Sequence, residues 1–159
     1  MTPDDLKLAF AVSQSQVNVY LKDVTPELAL TRPPNGGNTI HWILGHILAE
    51  RLEAVSRNDS PIPDTVPDLS NYTTGSTPEE NPVLSFDELK ALIPLSFDLI
   101  NRMLDSLNEN ALNATIDSTI LGQPPTRAQD LFVYTQHEMY HIGQISLARR
   151  VLGMPGVGF

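Results

Sequence analysis

The chain has 159 residues, 41% of them hydrophobic and 18% charged, a balance that builds one core and excludes a disordered chain. Nineteen acidic against ten basic residues give a formal charge of −9, with no Lys/Arg cluster to offset it, so nucleic acid and anionic membrane surfaces are excluded as partners. There is no cysteine, which excludes disulfides, thiolate metal sites and a cysteine nucleophile and leaves any soft-metal chemistry to four histidines.

Residues 1–159 are expected to form a single domain. Met1 to Leu8 lacks a secretion signal, and no segment approaches the ~20 apolar residues that span a bilayer, so the expected location is the cytoplasm. The first predicted helix runs from Pro3 to about Leu21. Thr2 caps it, Pro3 suits its first position, and Asp4 and Asp5 favour the positive end of its dipole. Leu6, Phe10, Val17 and Leu21 make its apolar face, and Gln14 beside them hints at a polar interior. A connection from Lys22 to Gly37 follows, where Pro26, Pro33, Pro34, Gly36 and Gly37 stop regular structure. Asn38 is expected to cap a second helix that reaches about Arg57 and buries Ile40, Ile43, Leu44, Ile47, Leu48 and Leu52.

Asn58 to Leu84 reads as a long surface crossover or flap. Ser85 and Glu88 form a capping box for a third helix, Phe86 to about Leu107, which Pro94 should kink or start late. Ala114 to Leu121 suits a short strand or hairpin arm, ended by Gly122 and Pro124. Thr126 and Gln129 form a second capping box, for a fourth helix from Arg127 to Leu152 with Gly153 as its C-terminal signal. Four amphipathic helices and one long crossover predict an all-α four-helix bundle.

The strongest local signal is His137-Glu138-Met139-Tyr140-His141. Helical residues four apart differ by about 40° in direction, so His137 and His141 share a face and can bind one ion without moving the backbone. Gln144 returns to the same stripe. The bland alternative is a pair of surface or core histidines, but two imidazoles and an amide on a buried face need polar or metal partners. The same five residues fit the zinc-protease pattern H-E-x-x-H, with Glu138 activating a water. That reading lacks a third ligand after His141 and a sheet edge for a peptide. Gln144 and Leu147 also break the longer metzincin pattern.

The third ligand must come from upstream. His46 is the best candidate, because it lies mid-helix in an apolar run beside Gly45, which admits a close neighbouring helix. His41 is about 140° around the helix from His46 and lies in its first turn, where a surface or capping role is expected. Glu50, four residues after His46, suits an outer partner, an extra ligand or a solvent-side salt link. Tyr134, Gln144 and Tyr20 are candidates to line a pocket, or are core residues with satisfied polar ends.

With Trp42-Ile43-Leu44-Gly45-His46 and the run from His137 through Ile142-Gly143 to Gln144, the chain resembles the DinB-like family. That family includes YfiT-like metal-dependent hydrolases and thiol-dependent S-transferases. Arg32-Pro33-Pro34 and Leu152-Gly153-Met154-Pro155 extend the resemblance over almost the whole chain. It implies an up-down-down-up bundle holding one divalent ion, zinc or nickel, on residues matching His46, His137 and His141. It also implies a homodimer, a small-molecule substrate and, in members with an assigned activity, a low-molecular-weight thiol co-substrate. Tyr140 and Ile142 stand where many relatives carry a second histidine or a basic residue.

Three neutral imidazoles leave such an ion its full double charge, so water bound to it reaches a pKa near ~7 and a bound thiol is deprotonated. Glu138 is the nearest general base in sequence, though it points about 100° away from His137. Three functions remain open: a metal-dependent S-transferase or hydrolase, a metal-binding protein without catalysis, and a bundle whose role is dimer-mediated interaction.

Overall fold

The structure, a computed structural model, describes residues 1–34, 36–77, 82–120 and 122–157. Four long helices carry it: α1 (Pro3–Tyr20), α3 (Ile40–Arg57), α4 (Phe86–Ser106) and α6 (Arg127–Val151). Two five-residue helices, α2 (Pro26–Leu30) and α5 (Glu109–Asn113), and a 3-10 turn at Ser70–Tyr72 complete the described elements. The capping boxes at Thr2, Ser85 and Thr126 each form with the carboxylate or amide three residues on. At the far end of α6, Gly153 and Met154 donate to the carbonyls of Arg150 and Arg149, a Schellman closure that Gly153 permits with φ +80°.

Three local expectations change and a fourth, at Pro94, narrows. Thr39, not Asn38, caps α3, its hydroxyl accepting from the Trp42 amide. Pro26, read as a breaker, instead occupies the first turn of α2 behind the cap Thr25. Pro94 lies inside α4 without delaying its start. Between 108 and 125, Asn108 caps α5, and only isolated bridges form, Thr115 with Thr126 and Ile120 with Gln123. Among the described residues no strand forms there; Leu121 and residues 78–81 of the crossover lie outside them.

Pairings along the helices fix their directions. Lys7, early in α1, meets Asp105, late in α4, and Arg57, ending α3, faces Asp130, beginning α6. Late in α6, Arg149 donates to the carbonyl of Tyr20, which ends α1, and His41, opening α3, bonds Leu84 just before α4. So α1 and α6 run up while α3 and α4 run down, each helix packing on two others. The bundle is up-down-down-up. Parallel neighbours α3 and α4 need a return as long as a helix, which is what the crossover supplies.

The core has two apolar halves. One holds Val17, Ile43, Leu44, Leu89 and Ile145; the other holds Phe10, Val55, Ile100, Met103 and Leu131. A polar layer separates them at the same level on all four long helices. Arg51 of α3 and Glu138 of α6 are each 1% exposed. Arg51 donates from Nε to Glu138 Oε1 at 2.7 Å and from Nη2 to Oε2 at 2.9 Å. Its Nη1 donates to Gln14 of α1 at 2.6 Å and to Ser96 of α4 at 3.2 Å. Ser13 of α1 donates to Glu138 Oε2. Gln14 therefore does mark a polar interior.

Such a bidentate pair offsets its own desolvation only while both partners are present. Arg51→Met should cost about 3–5 kcal/mol in urea unfolding, because Glu138 is left buried and unpaired. Arg51→Met with Glu138→Leu should recover most of that loss. Equal stability of the two variants would contradict the account.

Candidate metal centre

One turn from this layer α3 brings His46 against His137 and His141 of α6. His46 is 2% exposed and His141 5%, while His137 is only partly buried, so the cluster opens on the His137 side. The Nε2 atoms converge: His137 lies 3.0 Å from His46 and 2.9 Å from His141. The three donor atoms all lie within 4.8 Å of one another. Nitrogens on a tetrahedral ion, at about 2.0–2.1 Å from it, stand about 3.3 Å apart, so small adjustments suffice.

The outer nitrogens are already committed. His46 Nδ1–H donates to the Tyr72 carbonyl at 2.7 Å, and His141 Nδ1–H donates to Gln144 Oε1 at 2.9 Å. Each bond fixes the tautomer that leaves Nε2 unprotonated and aimed inward, the state a metal requires. Trp42 stacks on His46 with ring centres 4.9 Å apart and planes 14° apart, closing one side. Burial pushes His137 below its ordinary value, with Glu50 pulling it back up and His46 adding to the fall. Burial likewise pushes His141 down, to about 4, opposed by its bond to Gln144. Burial thus favours the neutral imidazole at His137 and His141, the form that can ligate a cation.

Gly45 has a definite reason. A Cβ there would lie 2.2 Å from the Tyr72 ring. The close neighbour that sequence expected to be a helix is the 3-10 turn of the crossover, which also supplies the carbonyl for His46. Two more bonds hold the crossover on α3: Trp42 Nε1–H donates to Ser76 at 3.0 Å, and His41 Nε2–H to the Leu84 carbonyl at 2.8 Å. His41 is thus not a surface or capping residue. It is buried beside Tyr72 and Phe86, with its pKa lowered by that burial, and it stands apart from the triad.

The remaining candidates separate. Gln144 touches the cluster through His141. Tyr134 lies in the other half of the core, where Arg57 donates to its hydroxyl at 3.2 Å and burial pushes its pKa up to about 12. Tyr20 offers its carbonyl to Arg149. Both oxygens of Glu138 are held by Arg51 and Ser13, in the polar layer. Glu50 instead places Oε1 3.9 Å from His46 Nε2, yet outside the group whose donors all converge. Sequence reasoning did not single out Tyr72 or Arg51. Nothing local marks Tyr72; Arg51 is a charge inside an apolar stripe, which is a usable signal.

The family model of the DinB superfamily matches residues 9–145. A conserved protein from Enterococcus faecalis is similar in structure, with TM-score 0.74 and 22% identity over 96% of this chain and 98% of its own. YfiT from Bacillus subtilis, described as a probable metal-dependent hydrolase with an unusual four-helix bundle topology, has TM-score 0.71 and 16% identity, covering 96% of this chain and 89% of its own. No curated protein sequence matches the chain significantly.

Gly45→Ala should displace Tyr72, lower stability by about 1–3 kcal/mol and weaken zinc binding in a chelator competition, since His46 loses its fixed carbonyl. Unchanged affinity would show that Tyr72 does not orient the ring. In metal-free protein the pH dependence has a definite sign. Below 6.5 the unfolded chain gains protons on residues such as His141, while the folded state resists until about 4. Melting temperature should therefore fall as pH drops through that window, and fall less steeply in His141→Asn. A flat profile would contradict burial of neutral imidazoles.

Proposed function

We propose that this chain, which belongs to the DinB superfamily, is a metal-dependent enzyme of hydrolase or S-transferase type, acting on a small molecule with His46, His137 and His141 as ligands of one zinc or nickel ion. The observation that carries this reading is the convergence of three Nε2 atoms, with the rings of His46 and His141 held in the right tautomer by other groups. Two Nε2 lone pairs aimed at a third nitrogen need a cation or a proton between them. The description of YfiT as a probable metal-dependent hydrolase supports the same reading.

When bound, such an ion supplies Lewis acidity that favours deprotonation of water or a thiol near neutral pH. The chain supplies the rest. The Tyr72 carbonyl and Gln144 hold two rings, and the Trp42 face excludes water from one side. Glu50, beside His46 and partly exposed, is the proton acceptor in this reading. Glu138 has the holding role its bonds to Arg51 indicate, rather than that of a protease-like base. Exposed Leu8 and Val12 of α1 and Phe132 and Met139 of the adjacent α6 support pairing of two copies.

Elemental analysis of untagged protein, purified without chelator, should find about one zinc or nickel per chain. His46→Ala and His141→Ala should lose it. Loaded protein should then turn over model esters, or conjugate thiols to electrophiles, with Glu50→Gln slower by about a hundredfold at unchanged metal content. No metal above background in the unaltered chain would sink the assignment. Metal without either activity would favour a binding role.

A further inference from the structure

The triad is not the last level of the α3–α6 seam. One turn further along, Ile43 of α3 and Ala148 of α6 help line a half-open cavity of about 250 Å³, whose outer wall is Leu147 and Val151. Its polar lining includes two primary amides, Asn38 and Gln144, and no lining residue is charged. Gln144 joins cavity and triad. Its Oε1 is committed to His141, which leaves the –NH2 group as a donor with no protein partner among the described residues. The Asn38 side chain makes no hydrogen bond among the described residues either.

These features select a ligand class. A charged molecule would leave its hydration for apolar walls with no opposite charge. A pure hydrocarbon would leave both amides unmatched. A neutral molecule with an apolar body and one accepting oxygen satisfies both demands. The volume holds roughly eight to ten non-hydrogen atoms. Resting on the metal-centre reading above, we propose that this cavity is the substrate pocket of the enzyme, and that it takes an uncharged, apolar-bodied carbonyl compound whose oxygen accepts from Gln144.

Zinc-loaded full-length protein with labelled Ile, Leu, Val and Ala methyl groups tests this by NMR titration with hexanamide, hexanoate and hexylamine. Hexanamide should shift the methyls of Ile43, Leu147, Ala148 and Val151 saturably, with the two charged chains about tenfold weaker or worse. Leu147 is 63% exposed, so Leu147→Glu should fold normally. It should weaken hexanamide and strengthen hexylamine, because the wall now carries a negative charge. Ala148→Leu, which fills the cavity, should abolish the shifts. Hexanoate or hexylamine binding as well as hexanamide, or shifts indifferent to Leu147→Glu, would overturn the proposal. Elemental analysis of the same samples separates the two readings. Zinc bound with the four methyls unmoved overturns the pocket alone. Zinc absent with hexanamide shifts intact overturns the metal centre, and with it the assignment of the pocket to a substrate.

Discussion

The ion pair between Arg51 and Glu138 sets the register on which the rest of the molecule depends. It is the level at which all four long helices meet through polar groups, and it admits one alignment. A slip of one residue along a helix moves a side chain about 1.5 Å and turns it about 100°, enough to break a bidentate contact. With that level fixed, the others on the α3–α6 seam follow in turn. Arg57 meets Asp130 and Tyr134 on one side; His46 meets His137 and His141 on the other; Ile43 and Gln144 follow. An apolar layer of equal volume would come close to the same stability but would tolerate several registers. The pair therefore serves alignment, and alignment is what three converging nitrogens need.

Topology contributes the second constraint. Because α3 and α4 run parallel, the chain between them must travel the length of the bundle. That return passes over the triad. Its 3-10 turn supplies the carbonyl that fixes His46, and its bonds to Trp42 and His41 hold it there. Gly45 is where the two requirements meet: the helix gives up a side chain so that Tyr72 can lie against it. What a sequence shows as an inserted flap is thus one wall of the candidate metal centre.

How much of this was legible follows from how local each signal is. His137 and His141 could be paired from sequence because four residues on a helix always return to one face. The capping boxes at Ser85 and Thr126 and the cap at Thr2 were equally readable, since each closes within four residues; that Asp5 completes a third box at Thr2 appears only in the structure. The order of helices and the crossover followed from apolar period and length. Glu138 is the converse case. Its neighbours spell a protease motif, but the partner that holds its carboxylate, Arg51, is 87 residues away. Tyr72 acts through a backbone carbonyl, which any residue has, so no side-chain pattern reports it. His41 looked solvent-facing because it opens a helix; the crossover that buries it arrives from a distant part of the chain. The choice of Thr39 over Asn38 as cap turned on adjacent residues that both suit the role.

The ion pair also has an electrostatic consequence for its neighbours. Glu138 directly follows His137, and a bare carboxylate there would hold a proton on that imidazole or compete for a cation. Arg51 cancels most of that charge within the same buried layer, so the acidic pull on His137 comes first from Glu50 and less from Glu138. The division matters in a protein of charge −9. A cation among the three imidazoles would feel little of a carboxylate that is already paired, and here Glu138 is paired while Glu50 lies 3.9 Å from His46 and partly open to solvent. Two acidic residues near the same histidines therefore take opposite parts, and the difference between them is the single arginine that follows Glu50.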